Sequence, residues 1–149
     1  MFNRNWLVED DDITKSKLHG PYELVTCISV LEHIEEHRAA VREMFRLLSP
    51  GGHLIVTCPY TESEYVDNVY ELPDAREGYR NASYICRSYS RQQLEEWTSD
   101  SEATVIVQEF WRIEAGRVHA VGDWIFPAVQ VERNDPHQLT CLLMQKAKG

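Results

Sequence analysis

No apolar run in this chain approaches the ~20 residues that a membrane helix requires. None of its 7 glycines falls in a Gly-x-Gly-x-Gly pattern. Cys-x-x-Cys is absent too: Cys27, Cys58, Cys86 and Cys141 are widely spaced. A zinc site or disulfide framework is thereby disfavoured, and buried thiols packing as small hydrophobes are expected. Basic residues are scarce, with 15 Lys and Arg against 24 Asp and Glu and a formal charge of −9. That field repels a phosphate backbone and argues against nucleic acid as a partner. The N-terminal MFNRNWLVEDDD lacks the charged-then-apolar order of a secretory signal. A cytoplasmic protein is expected.

What is present suits a globular protein. The 149 residues are 43% hydrophobic, enough for a single domain over 1–149. Trp6 to Val8 reads as a short strand before the acidic run Glu9 to Asp12. Leu24 to Val30 is nearly continuous in apolar and β-branched residues, which predicts a parallel strand covered on both faces. Ile34, Val41, Met44, Phe45 and Leu48 then form one helical stripe, with Arg38, Arg42 and Arg46 on a solvated face. Pro50-Gly51 predicts a turn, and Leu54 to Cys58 the next strand. Strand, helix and strand of these lengths make a right-handed βαβ unit. Glu62 to Gly78 reads as a loop with one short helix. Ser90 and Gln93 have capping-box spacing and open a second helix. Thr104 to Ile113 and Leu139 to Gln145 read as long strands, joined through Glu114 to His137 by a hairpin connection with an elaborated tip.

Tyr22 to Tyr60 reads YELVTCISVLEHIEEHRAAVREMFRLLSPGGHLIVTCPY. The Leu-Glu-His turn and the Leu-Leu-x-Pro-Gly-Gly turn, in this order between two strands, resemble the second half of the core of class I S-adenosylmethionine (SAM)-dependent methyltransferases. RSYSRQQLEEW is similar to the helix that precedes the last strand pair of that family. The resemblance implies an α/β fold: a partial Rossmann-like methyltransferase sheet, with a parallel βαβ unit followed by an antiparallel C-terminal strand pair. It implies SAM as cofactor, with cofactor and substrate bound outside the carboxyl ends of the strands; the acidic surface suits a small-molecule acceptor. Glu32 and His33 would stand at that mouth. Asp12 resembles the acidic residue that contacts the adenine amino group, and Ile13 would pack on the adenine ring.

Each candidate has a plainer reading. His33 is either a general base for an acceptor hydroxyl or amine, with Glu32 as the other candidate base, or part of a turn whose side chains bond backbone. Relatives that hold a divalent metal here use Glu-x-x-Glu-His. Ser29 occupies the first position, so no metal is expected. Asp12 either contacts adenine or belongs to the solvated acidic run. Tyr60, Tyr65, Tyr70, Trp111, Trp124 and His137 are candidates for an acceptor pocket or for packing.

The glycine loop that cradles the methionine part of SAM in the family has no counterpart in this sequence, and Gly51-Gly52 lies on the wrong side of the fold. Losing roughly three charge-assisted hydrogen bonds of ~1.5–3 kcal/mol weakens cofactor binding ~10³-fold or more. The chain is therefore expected to be inactive by itself or dependent on a partner. The alternative is a non-catalytic, dimerising or regulatory module derived from a methyltransferase. In either case Leu24 to Val30 becomes an exposed edge, expected to be covered by a homodimer, a partner chain or the Trp6 segment.

Overall fold

The computed structural model describes residues 7–80 and 82–149. Five strands form one mixed sheet: β1 (Tyr22–Ile28), β2 (Leu48–Pro59), β3 (Ala103–Glu114), β4 (Trp124–Val131) and β5 (Leu139–Lys146). Their order is β1-β2-β5-β3-β4. Only β1 and β2 are parallel; β5 runs antiparallel to both β2 and β3, and β4 antiparallel to β3. The helix α1 (His37–Leu47) makes the crossover between β1 and β2, and α2 (Arg91–Asp100) leads into β3. The expected βαβ unit and the two long C-terminal strands are present.

Packing explains the helices. α1 buries Ala40, Val41, Met44 and Phe45 against Leu54, Val56, Leu142 and Met144 of the sheet. Each large apolar side chain so buried contributes roughly 1.5–3 kcal/mol. The helix begins at His37 rather than Ile34, because Ile34 is extended after a 3₁₀ turn at Leu31–His33. Arg46 closes α1 by bonding Glu43 (2.8 Å) and the Ser16 carbonyl (3.1 Å). At α2 the Ser90 amide and hydroxyl both donate to Gln93 Oε1, at 3.0 and 2.7 Å.

Four expectations need correction. First, the sheet is covered on one face. Val25, Leu54, Met144 and Val105 face the helices, while Leu24, Ile28, Ile55 and Leu143 lie on the opposite face, partly or largely exposed. A near-continuous apolar run carries no information on whether both sides are buried. Second, Pro50 to Gly52 is a bulge inside β2 and not a turn before it. Tyr22 pairs with Leu48 and Leu24 with His53, so the intervening residues loop out, with Gly51 at φ 76°. Third, the segment between the long strands contains β4, which extends the antiparallel pair to three strands. Fourth, the segment from Glu62 to Tyr79 holds two 3₁₀ turns, Val69–Glu71 and Glu77–Tyr79, and its Val69 and Tyr70 join Cys86, Val118 and Ala120 in a small second core. Trp6 lies outside the described residues; Leu7 and Val8 are exposed and irregular. The four cysteines are free thiols, with Cys58 and Cys86 buried.

Candidate functional site

The site grows from the carboxyl end of β1. Ser29 adopts φ 51°, a left-handed conformation that costs a non-glycine residue of order 1 kcal/mol or more. Its amide is held by the Thr57 carbonyl at 3.0 Å, which fixes the departure of the chain from the sheet. The 3₁₀ turn Leu31–His33 follows at once, so Glu32 and His33 stand just beyond the strand end, as expected.

Glu32 is 4% exposed, and its Oε2 has no hydrogen-bond partner among the described residues. Its Oε1 lies 3.9 Å from His33 Nε2. Burial raises the Glu32 pKa above the usual carboxylate range; its own backbone amide and the neighbouring His33 and His119 act in the opposite sense. An orphaned carboxylate oxygen in a buried setting is a costly arrangement that structure alone does not require. His33 is held at the other nitrogen: Nδ1 is 2.7 Å from the Ile85 carbonyl. A carbonyl only accepts, so Nδ1 carries the proton and a neutral ring presents Nε2 as acceptor. Tyr84 packs edge-on to this ring at 5.2 Å.

Asp12 and Ile13 lie elsewhere. Asp12 caps a 3₁₀ turn, Ile13–Lys15, that packs against α1. Its Oδ1 accepts from the Thr14 amide (3.0 Å) and hydroxyl (2.8 Å), and Oδ2 is 3.3 Å from Lys15 Nζ. These Thr14 bonds lower its pKa. Its side chain is half exposed, and Ile13 rests partly on the core. No hydrogen bond or ion pair among the described residues ties this pair to the Glu32–His33 turn. The methionine end of SAM finds no glycine cradle: Gly52 lies against the Tyr22 carbonyl, at the opposite end of β1 from Ser29. The described residues thus offer no glycine cradle for the methionine end of the cofactor. Among them no group of three potential metal ligands occurs.

The aromatic candidates divide. Tyr60 is fully buried, donates to Glu62 Oε1 at 2.8 Å and stacks on His137 at 5.7 Å, which makes both of them core. Tyr65 bonds Asp67 at 2.9 Å, and Trp111 bonds its strand neighbour Glu109 at 3.3 Å. Tyr70 and Trp124 take part in something larger. From His33 the rings run Tyr84, Tyr70, Tyr79, His119 and Trp124, with successive centroids 5.2, 5.7, 5.0, 6.0 and 6.1 Å apart. Tyr79, Tyr84, His119 and the ion pair Arg76–Glu114 were not legible as site residues. They are spread over 76–119 without motif spacing, and only the folding of the 62–86 loop onto the β3–β4 hairpin brings them together.

Comparison with known proteins agrees with this architecture. A family model described as "Methyltransferase domain" matches residues 2–110. A ubiquinone biosynthesis O-methyltransferase from Marinobacter nauticus is 40% identical over 38 residues, 26% of this chain and 16% of the relative. The match therefore spans a small part of the curated relative. A SAM-dependent methyltransferase structure from Methanosarcina mazei has a TM-score of 0.58 at 11% identity, over 93% of this chain and 66% of that one. The magnesium protoporphyrin IX methyltransferase of Synechocystis, solved with bound S-adenosylhomocysteine, has a TM-score of 0.51 at 13% identity, over 92% of this chain and 49% of that one. With its parallel β1–α1–β2 unit, its antiparallel C-terminal strands and a family match over most of its length, the chain belongs to the methyltransferase-domain family and has a class I SAM-dependent methyltransferase fold.

Proposed function

We propose that this chain takes part in SAM-dependent methyl transfer to a small-molecule acceptor, with the Glu32–His33 turn at the reacting centre. The observation that carries the reading is the buried Glu32 with its unpartnered oxygen beside a His33 whose Nε2 is an acceptor. SAM, when bound, supplies a methyl group activated by a sulfonium. Asp12 and Ile13 would hold its adenine. His33 Nε2 is placed to accept a proton from an acceptor hydroxyl or amine, and a buried Glu32 to stabilise the imidazolium that results. The methionine end needs donors beyond those described here, which makes a partner-dependent enzyme the form of the reading that fits best. The aromatic run from His33 to Trp124 supports a flat acceptor. The −9 charge supports one without phosphates. Free thiols fit a reducing compartment such as the cytoplasm, and no helix among the described residues is long and apolar enough to span a membrane.

The test is calorimetric titration of the full chain with SAM and S-adenosylhomocysteine. Saturable heat that Asp12→Ala weakens about tenfold supports the cofactor assignment; absence of heat over the millimolar range removes it for this chain alone. One observation favours the second reading, a dimerising module without catalysis. β1 is an edge strand whose Leu24 and Ile28 are each 53% exposed, and Val30 just beyond it is 50% exposed.

A further inference from the structure

Arg87 is 6% exposed, yet its guanidinium is only partly satisfied. Nε donates to Asp67 Oδ1 at 2.8 Å, and Nη1 donates to the Ile34 carbonyl. Nη2 has no hydrogen-bond partner among the described residues and is not sealed from solvent. The residue lines a cleft of about 310 Å³ between the starts of α1 and α2. Gln93, also 6% exposed, lines the same cleft. Its Oε1 is taken by the Ser90 amide and hydroxyl, which leaves Nε2 as a second unused donor. A buried guanidinium and a buried carboxamide, each with a free N–H group at one cleft, lack an acceptor that the described residues do not supply.

The start of α1 adds to this. His37 and Arg38, its first two residues, also line the cleft. Glu36 holds the N-cap position, but its side chain makes no capping bond. The first amide to find a carbonyl is that of Ala40, on Glu36 at 3.1 Å. The amides of His37, Arg38 and Ala39 therefore have no acceptor among the described residues, at the positive end of the helix dipole. The His37 ring registers the local field, because the Arg87 and Arg38 charges act on it more strongly than those of Asp67 and Glu96. The acidic residues of the cleft do not reverse this. Glu35 and Glu36 are exposed, and Asp67 already accepts from Arg87 and from the Tyr65 hydroxyl at 2.9 Å.

We propose that this cleft binds a small monocarboxylate, whose oxygens accept from Arg87 Nη2, Gln93 Nε2 and the first-turn amides of α1. A planar carboxylate matches a guanidinium edge, and an anion at an uncapped helix start meets both free amides and dipole. Tyr65, 39% exposed, offers a ring against which the apolar part of the ligand packs. The exposed Glu35 and Glu36 and the −9 charge select against a dianion such as phosphate. The site is separate from the methyl-transfer reading: none of Asp12, Ile13, Glu32 and His33 lines it. It is nevertheless joined to the Glu32–His33 turn. The Arg87 amide donates to the Glu32 carbonyl at 3.0 Å, and its Nη1 holds the carbonyl of Ile34. A ligand that immobilises this guanidinium steadies the chain on both sides of His33.

The experiment titrates the full chain with benzoate and, in parallel, with benzamide as its neutral counterpart, following amide chemical shifts by NMR. Benzoate is expected to saturate and to move the His37, Arg38 and Ala39 amides, and benzamide to bind at least about tenfold more weakly. Arg87→Met also releases the Ile34 carbonyl, so the informative variant is Gln93→Glu. A glutamate keeps an oxygen for Ser90 in the capping box and replaces the free donor by a negative charge. Gln93→Glu is expected to keep its helical circular dichroism and to bind benzoate at least about tenfold more weakly than wild type. No saturation of the folded wild-type chain up to about 50 mM benzoate, equal affinity for benzamide, or undiminished binding in folded Gln93→Glu each overturns the proposal. Tighter binding of inorganic phosphate than of benzoate overturns the ligand class. Absence of SAM heat leaves this site in place, and absence of benzoate binding leaves the cofactor reading in place.

Discussion

At the scale of single residues, two buried groups set measurable properties. His37, 9% exposed with Nδ1 unpartnered, packs its ring 5.3 Å from Tyr89 and 6.5 Å from Trp97. Burial, then the Arg87 and Arg38 charges, bring its pKa from the usual 6.5 to about 4, against a smaller pull from Asp67 and Glu96. The unfolded chain therefore binds a proton that the folded chain refuses between pH 4 and 6.5. Stability rises with pH through that window and is lost as pH falls through it. Urea midpoints should show this slope, and His37→Phe should flatten it while keeping the aromatic contacts. The second group is the Arg76–Glu114 pair. Arg76→Met strands a fully buried carboxylate, and chemical denaturation should report a loss of about 3 kcal/mol, the lower end for breaking a buried pair. A smaller loss in the double variant Arg76→Met/Glu114→Gln would show that the cost lies in the unpaired charge.

At the scale of elements, the hairpin tip is tightly constrained. A Cβ on Gly116 would lie 2.0 Å from the Val121 carbonyl oxygen, and the Gly116 carbonyl accepts Gln138 Nε2 at 2.6 Å. Gly116→Ala should therefore cost 2 kcal/mol or more (about the scale of other backbone clashes) and accelerate amide exchange in Ala120 and Val121 before the β2–β5 ladder is affected. The contrast with α2 explains what could be read in advance. Ser90 and Gln93 signal a helix start by chemistry three residues apart, and the βαβ unit is signalled by two apolar strand runs flanking one helical stripe. Those are local signals. β4 has none: in WIFPAVQV a proline interrupts the strand pattern, and Trp124, Phe126 and Val129 are exposed on this edge strand. Glu32 and His33 were legible because they follow one another after a strand. His119, Glu114 and Arg76 were not, because a buried ion pair joining residues 38 positions apart leaves no periodic trace.

At the scale of the molecule, the sheet presents one packed face, one open face and a free edge at β1. Leu24 and Ile28 sit where both the edge and the open face meet, each 53% exposed. Unpaired strand edges of this length template association, and charge decides with what. Glu23 is the single charged residue of β1 and lies near one end, so two copies pairing antiparallel would hold their Glu23 carboxylates at opposite ends of the new ladder. A two-fold contact of that kind satisfies the same edge on both chains at once. The dimerising reading therefore predicts that the wild-type chain sediments as a dimer at micromolar concentration. Ile28→Lys replaces one large apolar side chain per subunit, roughly 1.5–3 kcal/mol of burial each, and should weaken the dimer about a hundredfold or more. Because Ile28 is half exposed in the single chain, its replacement should leave monomer stability within about 0.5 kcal/mol of wild type. A wild-type chain that sediments as a monomer at every concentration, with β1 amides exchanging freely, would show that this edge is covered by neither a second copy nor anything else the chain itself carries.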